Sequence, residues 1–324
     1  MATQNDTIPF SVKLNRRVRE LNSRICVGLD PDLALFPKQL LRKHSLENVS
    51  ALDLDAINRE SVIACIIEFN LLVIDAVQDL AAAVKPQSAH YERFGSKGIY
   101  ALEQTVAYAR SKGLITILDA KRNDIGSTAN KYAMAYIGRP GDCALPCDAL
   151  TVNAYLGADG ILPFVKACEA NGKGIFILVK TSNPSSVELQ DLLLHDGRPL
   201  CAQVAEAVER WGRESVHDGY SAVGAVVGAT WPKEIKTFRA LMPHTIFLMP
   251  GYGAQGATAA DLATAFDKDG FGAIINSARG ITYNYDPASI NFQEKIRENA
   301  LLMKEDINTR LKMRSPSDLP GITS

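Results

Sequence analysis

The residues most suited to chemistry in this 324-residue chain lie in one short run, Leu118-Asp119-Ala120-Lys121-Arg122-Asn123-Asp124-Ile125. Ile115, Ile117 and Leu118 form an apolar stretch of the kind that becomes a buried parallel strand, and it ends in a carboxylate, an ammonium and a second carboxylate. On an extended strand Asp119 and Lys121, two residues apart, project to the same side. Asp124 falls just beyond the strand end, before a helix that opens at Gly126-Ser127-Thr128. Buried charge is costly unless paired, so an acid-base-acid cluster at the tip of an apolar strand points to a site for charged chemistry.

The elements that must position this cluster repeat along the chain. Apolar runs at 25–30, 81–86, 114–121, 149–153, 174–180, 222–229, 245–249 and 272–276 are expected as eight strands. Helices are expected at 11–22, 53–80, 100–112, 127–136, 161–170, 200–216, 232–241 and 292–312, with a polar hairpin or loop at 189–199. The strands are continuously apolar with almost no two-residue alternation, which is the pattern of parallel strands covered on both faces. Eight such units in about 300 residues suit a single-domain (β/α)8 barrel, an α/β fold. The first strand ends in Asp30-Pro31-Asp32, which lacks the glycine fingerprint of a doubly wound nucleotide-binding sheet. The whole chain, 1–324, is read as one domain, with a helical extension over about 1–22 and a frayed tail over about 315–324.

Barrel chemistry belongs at the C-terminal strand ends. Here those ends carry Asp30, Lys85, Asp119 with Lys121, Asn153, and Thr181-Ser182-Asn183. The last two loops, Pro250 to Gly256 and Ser277 to Gly280, are glycine-rich and carry Gln255 and Arg279. Glycine lets backbone N–H groups approach an anion closely, and arginine adds a forked contact, so these loops are expected to hold a phosphate. The expectation is a phosphorylated small molecule lying over a Lys/Asp cluster. No histidine–carboxylate set with metal-ligand spacing and no nucleophilic triad stands at the strand ends, so no metal is expected there.

Composition narrows the setting. The chain is 47% hydrophobic with a net charge of −1, which offers no broad field for nucleic acid or an anionic membrane. Residues 1–10 show no secretory pattern, and no apolar stretch is long enough to span a bilayer. Cys26, Cys65, Cys168 and Cys201 lie in apolar runs, while Cys143 and Cys147 share a Pro/Gly-rich loop without a second metal-ligand pair. Reduced thiols and a cytoplasmic location are therefore expected.

The run from Asp119 to Thr128 resembles the Asp-x-Lys-x-x-Asp-Ile-Gly signature of orotidine 5′-phosphate decarboxylases. Val27-Gly28-Leu29-Asp30-Pro31-Asp32, Val84-Lys85-Pro86-Gln87, Val179 to Pro184, Pro250 to Gly256 and Ser277 to Gly280 resemble the longer subfamily of that enzyme. The resemblance implies conversion of orotidine 5′-phosphate to UMP and carbon dioxide without a cofactor, the last step of de novo pyrimidine synthesis. It implies a charged tetrad of Lys85, Asp119, Lys121 and Asp124, with Lys121 protonating C6. Asp119 would lie against the substrate carboxylate, and Lys85 would link it to the ribose. It further implies that Asp30 holds the ribose, Thr181 or Ser182 the pyrimidine edge, and Gln255 and Arg279 the phosphate. Asp124 and Thr128 would reach into the partner's site of a homodimer. The rival expectations are a Mg²⁺-dependent sugar-phosphate decarboxylase or aldolase of the same barrel group, and a non-catalytic nucleotide-binding barrel. The segments 138–148 and 189–199 carry no assigned role.

Overall fold

The computed structural model describes residues 7–47, 59–139, 141–143, 145–253 and 256–313. Eight parallel strands close into a barrel: β1 (Ile25–Leu29), β2 (Ala83–Pro86), β3 (Ile115–Arg122), β4 (Ala149–Val152), β5 (Gly174–Lys180), β6 (Val223–Val227), β7 (Phe247–Pro250) and β8 (Ala273–Ser277). Each pairs with the next in sequence order, and β8 returns to β1 through Ile25↔Ile275 and Val27↔Ser277. Closure leaves the barrel without a free edge, as expected for eight apolar strand–helix units in one domain.

Among the described residues, eight helices of ten or more residues accompany it. They are α1 (Phe10–Leu21), α2 (Arg59–Val77), α3 (Gly95–Ser111), α4 (Gly126–Ile137), α5 (Ala158–Asn171), α6 (Leu200–Gly212), α7 (Pro232–Leu241) and α8 (Phe292–Lys312). The larger apolar cluster lies between strands and helices and joins Ile66, Phe69 and Val73 of α2 to Leu29 and Val84. A second cluster fills the barrel itself with Cys26, Ala83, Ile117, Ala149, Phe176, Leu248 and Ile274. It also includes Phe10, Leu14 and Val18, so α1 closes the N-terminal mouth of the barrel. Phe10 meets Phe176 edge to face at 5.9 Å and lies over Gly174, where a Cβ would fall 2.4 Å from its ring.

The structure alters several sequence expectations. The helix expected over 53–80 is described over Arg59–Val77, and residues 53–58 lie outside the described set, as does the tail 315–324. The helix expected from Tyr100 begins at Gly95. The one expected over 200–216 stops at Gly212 and gives way to a small antiparallel hairpin, Val216–His217 with Tyr220–Ser221. Its turn is Asp218-Gly219, both at positive φ (53° and 79°), the aspartate–glycine pairing that suits a two-residue hairpin. All six cysteines are unpaired and buried, and burial raises their thiols, Cys26 and Cys65 to about 12 and Cys201 to about 11. Among the described residues no helix is long and apolar enough to cross a membrane.

Candidate active site

At the C-terminal ends of β2 and β3, Asp119 stands between two ammonium groups. Lys85 Nζ donates to Asp119 Oδ2 at 2.7 Å and Lys121 Nζ to Oδ1 at 2.6 Å. Gln87 Nε2 adds a bond to Oδ2 at 3.0 Å, and Thr151 Oγ1 donates to Oδ1 at 3.0 Å. The Asp119 and Lys85 side chains are buried, whereas that of Lys121 is 46% exposed and reaches into the opening. Burial works against both buried charges, yet the pairing prevails. Lys85 and Lys121 hold the Asp119 carboxyl far below the ordinary carboxylate range, and Asp119 and Asp30 raise Lys85 above its ordinary value. Asp119 and Lys85 are therefore both charged throughout the neutral range.

The strand that carries it is not regular. Leu118 pairs with Leu150 and Arg122 with Val152, so Asp119, Ala120 and Lys121 all stand opposite Thr151 alone. Lys121 takes φ +49°, a left-handed conformation that costs a non-glycine residue about 1–2 kcal/mol. The strand expected over 114–121 is thus present over Ile115–Arg122, with a bulge at its C-terminal end. Asp119 and Lys121 still face one opening, but this backbone departure sets the ammonium's direction.

The opening leads into a cavity of about 440 Å³, lined by Lys85, Asp119, Lys121, Thr151, Leu178, Thr181, Ser182, Asn183, Gln190, Val226, Leu248 and Pro250. Leu178, Val226, Leu248 and Pro250 form an apolar wall on the far side of the barrel mouth from β2. Gln190 clamps the rim, because its Oε1 accepts from Thr181 N at 2.9 Å and its Nε2 donates to Thr181 Oγ1 at 2.8 Å. Trp231 Nε1 also donates to the Thr181 carbonyl, at 2.9 Å. The segment Val187–Gln190, whose last two residues begin the stretch 189–199 expected as a hairpin or loop, forms a short helix that presents this glutamine. Sequence reasoning missed Gln87, Thr151 and Gln190. Gln87 and Thr151 lie within two residues of strand-end positions already singled out, so the strand-end rule could have reached them. Gln190 left no such signal.

Of the sequence-predicted residues, the cavity brings together Lys85, Asp119, Lys121, Thr181 and Ser182. Asp30 lies beside this group, half-buried at the end of β1, and its buried Oδ1 has no partner. Arg279 is exposed and begins the short helix Arg279–Thr282 after β8, outside the cavity lining. Gln255 lies outside the described residues. Asn153 is not in the lining, and its Oδ1 accepts from Tyr155 N at 2.9 Å, so the side chain serves its own turn. Asp124 and Thr128 are also absent from the lining. Asp124 Oδ1 accepts from the adjacent Ile125 N, and Thr128 is exposed on α4. Tyr252 turns its hydroxyl to Asp306 on α8 and so ties the loop after β7 to the C-terminal helix.

The arrangement suits stabilisation of negative charge better than metal binding. Both Asp119 oxygens already accept from an ammonium and a neutral donor, which leaves a divalent cation little purchase there. Asp191, Cys201 and Glu234 do converge elsewhere among the described residues. The fully buried ammonium of Lys180 supplies the positive charge at that place, paired with Asp191 and 4.0 Å from Glu234.

Comparison with known proteins agrees in fold and sequence. The family model described as Orotidine 5'-phosphate decarboxylase / HUMPS family matches residues 23–290. The chain is 41% identical over 308 residues to an orotidine 5'-phosphate decarboxylase of Rhodopirellula baltica, covering 92% of this chain and 98% of that one. It is 37% identical over 309 residues to one of Caldicellulosiruptor bescii, covering 93% and 99%. The solved OMP decarboxylase of Leishmania donovani superposes with a TM-score of 0.72 at 31% identity, covering 95% of this chain and 100% of that one.

Proposed function

Because this chain belongs to the orotidine 5′-phosphate decarboxylase family, we propose that Lys121 is the acid that protonates C6 of its substrate as carbon dioxide leaves. The chain is a carboxy-lyase that converts orotidine 5′-phosphate to UMP, the final step of de novo pyrimidine synthesis. The observation that carries the lysine's role is the Lys85–Asp119–Lys121 ion triad at the mouth of the barrel. When the bond from C6 to the carboxylate breaks, its electron pair stays on C6. An ammonium held beside that carbon stabilises the developing carbanion far better in a dry site than in water. Its proton then passes to C6, and the neutral amine regains a proton from solvent. Asp119 keeps the ammonium aimed and lies against the departing carboxylate, whose like charge favours its loss.

Lys85 would join Asp119 to the ribose, with Asp30 accepting from ribose hydroxyls through the oxygen that lacks a protein partner. Thr181 and Ser182 would meet the pyrimidine edge, and Arg279 with Gln255 the phosphate. Asp124 and Thr128, which lie outside their own cavity, would complete the site of a second copy. Exposed Ile125, Met134, Tyr155, Leu156 and Leu162 on and around α4 and α5 give such a homodimer an apolar face. A reduced, cytoplasmic setting fits six buried, unpaired thiols.

The test mixes chelator-treated protein with orotidine 5′-phosphate and follows the loss of its ultraviolet absorbance. Turnover without metal is expected, with Lys121→Ala slower by at least about a thousandfold and still folded. Ready decarboxylation by that variant would defeat the lysine's role. Activity only with Mg²⁺ and a keto-sugar phosphate would move the chain to the metal-dependent branch. Arg279→Ala is expected to raise KM by about 10- to 100-fold with kcat largely kept, the size of one charge-assisted contact. Unchanged kinetics would place the phosphate elsewhere.

A further inference from the structure

We infer that Thr151 is a positioning residue for the reaction: a single hydroxyl that fixes the bulge on which Lys121 is carried. It rests on the reading of Lys121 given above. Thr151 ends its side chain inside the barrel mouth, 1% exposed, directly opposite the three-residue bulge of β3. Its Oγ1 accepts from Ala120 N at 3.0 Å and from Lys121 N at 2.9 Å, and donates to Asp119 Oδ1 at 3.0 Å. A hydroxyl has two lone pairs and one proton, so all its capacity is spent on three consecutive residues. With both lone pairs taken by N–H groups, the proton can only go to the carboxylate.

The consequences follow from what the bulge lacks. No register partner in β4 is aligned with Ala120 or Lys121, so the acceptor for these two N–H groups is not a carbonyl of a regular ladder. Thr151 supplies it and thereby holds Lys121 at φ +49°. The same oxygen also fixes the Asp119 oxygen that accepts from Lys121 Nζ at 2.6 Å. One side chain thus sets both ends of the Asp119–Lys121 pair: the backbone that launches the lysine and the carboxylate that receives it. Valine has the same shape and none of these bonds, whereas serine keeps all three.

The experiment measures Thr151→Val and Thr151→Ser beside the parent and Lys121→Ala. Readouts are kcat and KM for orotidine 5′-phosphate, and the dissociation constants of UMP and of a UMP analogue bearing an anionic oxygen at C6. UMP reports the ribose, phosphate and base contacts, and the analogue adds the charge that Lys121 must meet. For Thr151→Val we expect kcat to fall by about 100-fold or more while KM and UMP affinity stay within about threefold, the pattern of a lost transition-state interaction. Affinity for the C6-oxyanion analogue should fall in step with kcat, and Thr151→Ser should recover to within about tenfold of the parent. If valine does not fold, Thr151→Ala takes its place in the same comparison.

A valine or alanine variant with parental kcat would overturn the inference. So would equal losses of UMP and analogue affinity, or a serine variant as impaired as valine, since a general loss of structure gives those results. Lys121→Ala separates the two readings. If it binds the analogue as tightly as the parent, the role of Lys121 fails. If it loses the analogue while Thr151→Val does not, only the positioning role of Thr151 fails.

Discussion

Asp119, itself buried, holds together one buried and one half-exposed ammonium group, and its charge state shapes the pH response of the protein. Its folded-state carboxyl lies below the ordinary value of about 3.9, so its stabilisation is present above that value and is lost as pH falls through the lowered one. Lys85 is raised, so its contribution is present below about 10.4 and is lost only as pH rises beyond it. The thermal midpoint should therefore show no inflection from this pair between about pH 5 and pH 9. Asp119→Asn reverses the picture, because it leaves Lys85 buried with its direct counter-charge gone. That variant is expected to lose about 3–5 kcal/mol and to regain stability as pH rises, because the folded state then binds fewer protons than the unfolded chain. Denaturant midpoints measured from pH 6 to pH 9.5 would check the slope; a flat line, parallel to the parent, would contradict it.

At the scale of elements, the site depends on how closely the strand ends approach one another. A Cβ on Gly28 of β1 would fall 2.5 Å from Ala278 Cβ and 3.0 Å from its Cα, so Gly28→Ala must push back the residue that launches Arg279. We expect a loss of about 1–3 kcal/mol from overpacking, with KM raised more than kcat is lowered, as titration of UMP and of uridine would reveal. A variant that weakens both ligands equally would argue against a phosphate role for this loop. Much of this level was legible in the sequence. Apolar runs ending in Asp30, Lys85 and Lys121 gave strands within a few residues of their observed ends, because burial on both faces leaves no choice of residue type. The bulge at Lys121 was not legible, since nothing in Asp-Ala-Lys differs from a regular strand end; it arises from a hydroxyl on the neighbouring strand. Gln190 escaped notice for a similar reason, being placed by a four-residue helix in a polar stretch. The hairpin at 216–221 did carry a signal in Asp218-Gly219, hidden by the apolar helix pattern that runs up to it.

Across the whole molecule, work is divided between the two mouths of the barrel. Charged and polar groups gather at the C-terminal end, while α1 closes the other with Phe10, Leu14 and Val18. Phe10→Ala should accordingly cost about 3–5 kcal/mol in chemical denaturation and leave kcat at its parental value, because the cavity at that end touches none of Lys85, Asp119 and Lys121. A proportional fall in kcat would show that the two ends are mechanically coupled. The six buried thiols have a practical consequence for such experiments. Shielded from solvent and pushed toward the protonated form, they present little thiolate to a maleimide at neutral pH. One cysteine introduced at an exposed position such as Tyr100, on α3, then becomes an addressable handle in an otherwise silent background. Spin labels or fluorophores can be attached there without first removing the native cysteines, and label-to-label distances would then test whether two copies associate.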